Sequence, residues 1–138
     1  MGLDFSLSEQ YLYGASRLGV SLSNLKLAAN DENYTMDSVY SHTLGLKNYE
    51  HTNHLGNVLA VVSDEKQSAI VAEVLSVSDY YPFGMEMPGI KFEKDASDEY
   101  RFGFTGHEKE SDMAEGVYST EFRLLDSRVG RWLSVRIL

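Results

Sequence analysis

Along this chain apolar and polar positions alternate over short runs, and they almost nowhere recur at the three-to-four-residue spacing of an amphipathic helix. Tyr11-Leu12-Tyr13-Gly14 opens a first hairpin-like unit that continues through Arg17-Leu18-Gly19-Val20. Residues 23–26 carry on as a strand before a polar turn at Asn30-Asp31-Glu32-Asn33, and the stretch 34–47 has Gly45 as its only clear punctuation. A better bounded unit follows. Tyr49-Glu50-His51-Thr52 leads through a turn at 53–57 into Val58-Leu59-Ala60-Val61-Val62. Asp64-Glu65-Lys66-Gln67 then reads as a polar loop and 69–81 as a long β-branched strand, so the runs on either side of the loop form a hairpin. The unbroken apolar run 58–62 predicts burial on both faces. The stretch 114–125 has the length of a helix but is expected to be strand. Gly116, Tyr118, Ser119 and Thr120 are poor helix formers, and Tyr118, Thr120 and Phe122 alternate.

A worn internal repeat fits the same picture. Arg17-Leu18-Gly19, His54-Leu55-Gly56 and Arg128-Val129-Gly130 each place a basic and an aliphatic residue before a glycine. Each follows an aromatic residue (Tyr11, Tyr49, Phe122), which is expected to pack a sheet face while the glycine supplies the positive φ of a tight turn. The 15 Tyr and Phe rings also favour an all-β fold of twisted hairpins. A length of 138 residues suits one domain with a real core.

Charge and missing residue types narrow the function classes. A formal charge of -9 repels phosphate backbones and anionic lipid surfaces, which argues against nucleic-acid and membrane partners. With no cysteine there is no disulfide, thiolate nucleophile or Cys-based zinc site. No apolar run reaches the length of a membrane span. The N-terminus lacks the basic-then-apolar pattern of a signal peptide, so a cytoplasmic location is expected unless a larger assembly carries the chain out. The Gly2/Ser6 spacing of a myristoylation signal and the sequon Asn33-Tyr34-Thr35 are short matches that carry no weight alone.

Five motifs stand in order: Tyr13-Gly14-Ala15-Ser16-Arg17-Leu18-Gly19-Val20, His54-Leu55-Gly56-Asn57-Val58, Asp79-Tyr80-Tyr81-Pro82-Phe83-Gly84-Met85, the run 100–108 with Tyr100, Gly103 and Gly106, and Gly130-Arg131-Trp132-Leu133-Ser134-Val135. Together they resemble the repeat-associated core of RHS/YD-repeat proteins, in a dialect similar to that of Bacteroidetes. The resemblance covers roughly residues 10–135, leaving 1–9 as a lead and 136–138 as a divergent tail. It implies β-hairpins coiling into a hollow shell, with the last third spiralling inward as a plug. In polymorphic toxins such a shell encloses a toxic C-terminal domain that aspartate-dependent self-cleavage releases; family members are often secreted or displayed at the cell surface. Here Asp126 is followed by Ser127 where the family has Tyr-Asp-Pro, and Arg136-Ile137 stands in place of the later Asp-Pro. The expectation is therefore a non-catalytic shell segment without a cofactor. Its partners would be other shell segments or a toxin domain, met through open β-edges that also favour oligomers or aggregation. The alternatives are an independent interaction or immunity-type module and a residual aspartate-dependent self-cleaving peptidase.

Local chemistry adds little to that reading. Asp126 is expected to form a turn, its carboxylate accepting backbone N–H bonds, rather than to act in a catalytic pair. His51 and His54 have His-x-x-His spacing, but in a strand or turn their side chains diverge, and His42 and His107 supply no further motif, so no metal site is assigned. Asp95, Asp98 and Glu99 read as a solvated charge run. Gly103, Gly106 and Lys109 lack the spacing of a phosphate loop. The rings of Tyr80, Tyr81, Phe83, Tyr100, Phe102, Phe104, Tyr118, Phe122 and Trp132 are expected to form the packing layer between strands rather than a ligand groove.

Overall fold

A computed structural model describes residues 5–22, 25–27, 43–95, 99–110 and 112–134. The polar turn at 30–33, most of the stretch 34–47, the sequon, His42, Asp98, Gly2 and the tail 135–138 lie outside the described residues. The fold is all-β. Its strands are β1 (Phe5–Leu7), β2 (Gln10–Tyr13), β3 (Arg17–Ser21), β4 (Leu25–Leu27), β5 (Lys47–Thr52), β6 (Val58–Lys66), β7 (Ala72–Val77), β8 (Phe92–Glu93), β9 (Glu108–Lys109), β10 (Val117–Ser119), β11 (Arg123–Asp126) and β12 (Arg131–Ser134). They form three sheets: β1-β4, β2-β3-β5-β6-β7-β8 and β12-β11-β10-β9. The chain divides into two compact units, Met1–Tyr49 with Ser63–Glu73 and Glu50–Val62 with Val74–Leu138.

In the first unit β2 and β3 form the expected opening hairpin, with a register shift between Leu12 and Tyr13 and a turn closed by the Gly14 N–H on Ser16 O at 2.8 Å. Gly19 is not a turn residue. It lies inside β3 opposite Tyr49, and an added Cβ would stand 1.9 Å from the backbone oxygen of Asn48. Its missing side chain lets β5 approach, while Gly56 and Gly130 do take positive φ in turns (84° and 64°). Tyr11, Tyr49 and Phe122, expected on packed sheet faces, are all exposed.

The hairpin of β6 and β7 is present, but its loop is displaced. Asp64-Glu65-Lys66 belongs to β6, and the turn falls at 67–71, closed by Gln67 N–H on Val71 O at 3.0 Å. A distant partner explains the longer strand: Asp64 Oδ1 accepts from Gly45 N–H at 2.7 Å and Lys47 N–H at 3.3 Å. The strand after the loop spans only Ala72–Val77 of the expected 69–81. None of residues 58–62 is exposed, and Val58 and Val61, on opposite faces, are buried.

In the second unit the stretch 114–125 is not helical, as its residues predict, but only Val117–Ser119 and the start of β11 are strand, and Thr120 and Phe122 lie in the tight turn between them. Thr120 Oγ1 accepts from Arg123 N–H at 3.2 Å and donates to Arg123 O at 2.8 Å, which leaves Phe122 at the apex instead of in a strand. Register places Lys109, Tyr118, Leu125 and Trp132 in one row across β9, β10, β11 and β12. Tyr118 and Leu125 from this row join Tyr80 in the main buried cluster, with Leu59 and Phe104 packed on it.

A 3₁₀ turn over Phe104–Gly106 forces Thr105 to φ 51°, ψ 24°, the left-handed region that a β-branched residue avoids. That conformation costs about 1–2 kcal/mol for an L-residue with a Cβ, and asparagine tolerates it best among non-glycines. Thr105→Asn is therefore expected to raise stability by about 0.5–1 kcal/mol, read as a higher urea midpoint. A lower midpoint would show that the bond from Thr105 Oγ1 to Phe104 O, at 2.8 Å, outweighs the strain.

Candidate functional site

Three of the sequence motifs meet in the second unit. The Asp79-to-Met85 motif folds into a tight loop, with Tyr81 N–H on Met85 O at 2.9 Å and Gly84 N–H on Tyr81 O at 2.8 Å, so that Pro82 and Phe83 form the apex. Gly84 at φ 93° lies against the Phe104 ring, where a Cβ would come within 2.5 Å of Cδ1. Tyr118 donates its hydroxyl to Gly84 O at 2.9 Å, and Tyr80 donates to Val58 O at 3.0 Å. The turn at 53–57 joins through Asn57, whose Oδ1 accepts from Thr105 N–H at 2.8 Å, and through Val58 N–H on Gly103 O at 3.1 Å. Phe104 stacks obliquely on Tyr80 and Tyr118 with centroids 5.9 and 6.0 Å away. Aromatic hydroxyls thus satisfy one backbone carbonyl in the loop, at Gly84, and one at the start of β6, at Val58.

Against this aromatic floor lies a group of charges. Glu86 bridges two lysines, Oε2 to Lys91 Nζ at 2.8 Å and Oε1 to Lys109 Nζ at 2.7 Å. Glu99 Oε1 contacts the same two at 2.7 and 2.9 Å. The side chains of Glu86 and Lys109 are about nine-tenths buried, with 10% and 12% exposed. Glu93, on the edge strand β8, completes the group, and its Oε1 is buried without a hydrogen-bond partner. A cleft of about 180 Å³ opens onto Glu86, Lys109 and Tyr118.

Protonation follows from these surroundings. Burial, reinforced by Glu86, pushes the Tyr80 hydroxyl well above the ordinary tyrosine range. Burial followed by Tyr80 and Glu86 does the same to Tyr118, so both hydroxyls act as donors. Burial alone would lower Lys91, but the hydrogen bonds it donates to Glu86 and Glu99 outweigh it and hold the ammonium charged. Burial would likewise raise Glu99, yet the bonds from Lys91 and Lys109 keep it below its ordinary value. The arrangement braces the loops on either side of β8 and β9, with Glu86, Glu99, Lys91 and Lys109 each fixed by an opposite charge.

The other sequence candidates fall elsewhere. Asp126 forms the expected turn, accepting Arg128 N–H at 3.1 Å, and also grips the Arg128 guanidinium through Nε at 2.9 Å and Nη2 at 2.7 Å. Those guanidinium bonds hold its carboxyl below the usual aspartate value. His51 on β5 and His54 in the turn are exposed, and His107 meets the edge of Trp132 at 6.2 Å. Among the described residues no group of three or more His, Asp or Glu side chains is placed to hold a metal ion. Among the same residues no helix is long and apolar enough to cross a membrane.

One expectation is extended and one is corrected. Asp95 and Glu99 are exposed, as expected of a charge run, but Glu99 also pairs with Lys91 and Lys109, which occupies the Lys109 considered for a phosphate loop. The aromatic residues do not form one packing layer. Tyr80, Phe102 and Tyr118 are buried and Phe104 and Tyr100 half-buried, whereas Tyr81, Phe83, Phe122 and Trp132 remain exposed. Loop apices and the edge strand β12 carry the last three, where too little of the chain comes within reach to cover a ring. Glu86, Lys91 and Glu93 were not foreseen, because no local spacing signals a pairing made through distant turns.

Comparison with family models, with curated proteins and with solved structures found no match to this chain.

Proposed function

We propose that this chain is a non-catalytic segment of an RHS/YD-repeat β-shell, built to pack against further shell segments or an enclosed toxin domain. One observation carries the reading. Among the described residues only eight hydrophobic side chains are buried, whereas 20 large ones stay exposed. Isolated exposed apolar residues are ordinary, but Tyr11, Tyr13 and Leu18 on the first hairpin and Phe83, Phe122, Trp132 and Leu133 in the second unit are rings and aliphatics that a larger wall would cover. Among the described residues β2 and β8 end the six-stranded sheet and β12 ends one side of the four-stranded sheet, edge positions that can accept another strand, whereas β9 is already bonded on its outer side through Lys109 N–H to Arg101 O at 2.8 Å. The motifs that resemble the family supply the loops that brace the second unit, a structural use of those residues. The grip of Arg128 on Asp126 also speaks for a turn residue rather than a member of a self-cleaving pair.

Size-exclusion chromatography with light scattering, joined to amide hydrogen exchange, tests the proposal. The purified chain is expected to self-associate, and in its monomeric fraction β2 and β12 should exchange much faster than β6 and β10. A uniformly protected monomer would favour the independent interaction module instead.

A further inference from the structure

Among the described residues the charge group against β8 is unbalanced: the carboxylates of Glu86 and Glu99 pair with the ammoniums of Lys91 and Lys109, and Glu93 adds a third negative charge beside them. Glu86 and Glu99 each touch both lysines, which leaves Glu93 as the carboxylate with a buried oxygen and no donor on it. From these contacts we infer that Glu93 is a proton-binding switch, which takes one proton from solvent as the medium acidifies and thereby tightens β8 onto β7.

Lys91 and Glu99 flank Glu93 along the chain, Lys109 faces it from β9, Tyr100 donates a backbone N–H to it, and the field of Tyr80 couples to it from the loop after β7. On β7, Ser76 stands opposite in register, and Val74, two residues away on the same face, brings no charge. The Tyr100 N–H and the pull of two lysines already engaged by Glu86 and Glu99 offset the burial of Glu93 only in part, and a protonated carboxyl can donate from the buried Oε1 that now lacks a partner. The segment concerned is a fitting place for a switch. β8 is two residues long, an edge strand held to β7 by Ser76↔Glu93, Val77↔Phe92 and the bond from Lys94 N–H to Leu75 O at 2.8 Å.

The direction follows from linkage. Burial raises the Glu93 carboxyl above its ordinary 4.5, ahead of the opposing pull of Lys109, so the folded chain holds a proton that the unfolded chain has lost. Stability then rises as pH falls through the folded value and gains nothing more below 4.5. Glu99 acts in the opposite sense and in a separate window: its lowered value gives stability that is present above 4.5 and lost below it.

The test compares thermal midpoints of the wild type and Glu93→Gln, a neutral isostere of the protonated form, from about pH 8 to about pH 5. The difference between the two isolates Glu93 from the general relief of a net charge of -9 on acidification. The variant is expected to melt several degrees higher at the alkaline end, with the two curves converging toward the acid end. Parallel curves would overturn the switch. Carbon-13 NMR titration of the wild-type carboxyls decides the matter even where the variant fails to fold. A Glu93 midpoint above 4.5 supports the inference, and one at or below it sinks it.

Discussion

Gly19→Ala is expected to unpair β3 from β5 and to lower stability by about 3 kcal/mol or more, at the top of the range for overpacking a core. The new Cβ would stand 1.9 Å from Asn48 O, 2.9 Å from Asn48 C and 3.0 Å from Tyr49 Cα. All three are backbone atoms of the neighbouring strand, so no side chain can turn aside and the ladder itself must part. The Gly19↔Tyr49 and Val20↔Asn48 pairings would open, along with the seat of the buried Val20. Gly14→Ala provides the contrast. There the methyl meets only the Leu18 side chain, 3.2 Å away at the closest, and the backbone needs no positive φ. That change should lie within about 1 kcal/mol of neutral, since it also reduces the freedom of the unfolded chain. Urea unfolding of both variants, with hydrogen exchange at the β3 and β5 amides, reads the difference. Equal midpoints for the two would show that β5 yields easily and that Gly19 is not required for pairing.

The contrast between these glycines marks where reading the sequence succeeds and where it stops. Alternation and turn residues are local, and they deliver the all-β class, the opening hairpin, the β5-turn-β6 unit and the non-helical character of 114–125. What they miss is decided by partners far along the chain. Asp64-Glu65-Lys66 looks like a loop because it is polar, yet Asp64 stays in β6 to accept the amides of Gly45 and Lys47. Gly19 shares its pattern with Gly56 but serves close approach, since its neighbour is a strand that arrives about thirty residues later.

The candidate site divides along the same line. The aromatic-glycine motifs are visible as motifs, and three of them do converge, because glycine beside a ring is itself a packing statement: Gly84 accepts the Phe104 ring, and Gly103 leaves room for Lys109, Tyr80 and Tyr118. Which rings are covered depends on strand order, which residue spacing does not encode. Trp132 shares a row with Tyr118 and Leu125 and yet stays half exposed, because β12 is the sheet's last strand. The charge group had no sequence signature. Glu86 and Lys109 sit at unrelated places in the sequence, and only the fold makes them contact at 2.7 Å.

Tyr118→Ala is expected to cost about 3–5 kcal/mol, the usual loss for emptying a buried aromatic site, and to unfold the second unit at physiological temperature. The residue is 1% exposed, its ring packs on Phe104 and the Tyr80–Leu125 cluster, and its hydroxyl holds Gly84 O at 2.9 Å. Tyr118→Phe keeps the ring but strands a buried carbonyl, so it should cost about 1–3 kcal/mol. Phe122→Ala removes a ring only four positions on, but that ring is 66% exposed at a turn apex, and the change should stay within about 0.5 kcal/mol. The order of the three, measured by chemical unfolding, separates a packing role from mere aromatic content. A Phe122→Ala loss as large as that of Tyr118→Ala would mean that another part of the chain covers the apex. The alkaline limb supplies an independent reading. Both Tyr80 and Tyr118 ionise in the folded chain only well above the ordinary 10.0, Tyr118 through burial first and then Tyr80 and Glu86. The folded state therefore retains protons that the unfolded state loses, and the stability these hydroxyls contribute is complete below pH 10.0 and falls as pH rises beyond it. Phenolate absorbance of the two buried rings should accordingly appear together with unfolding. In Tyr118→Phe one of those late-titrating groups should vanish, and if the late signal is unchanged, Tyr118 does not lie in the core cluster.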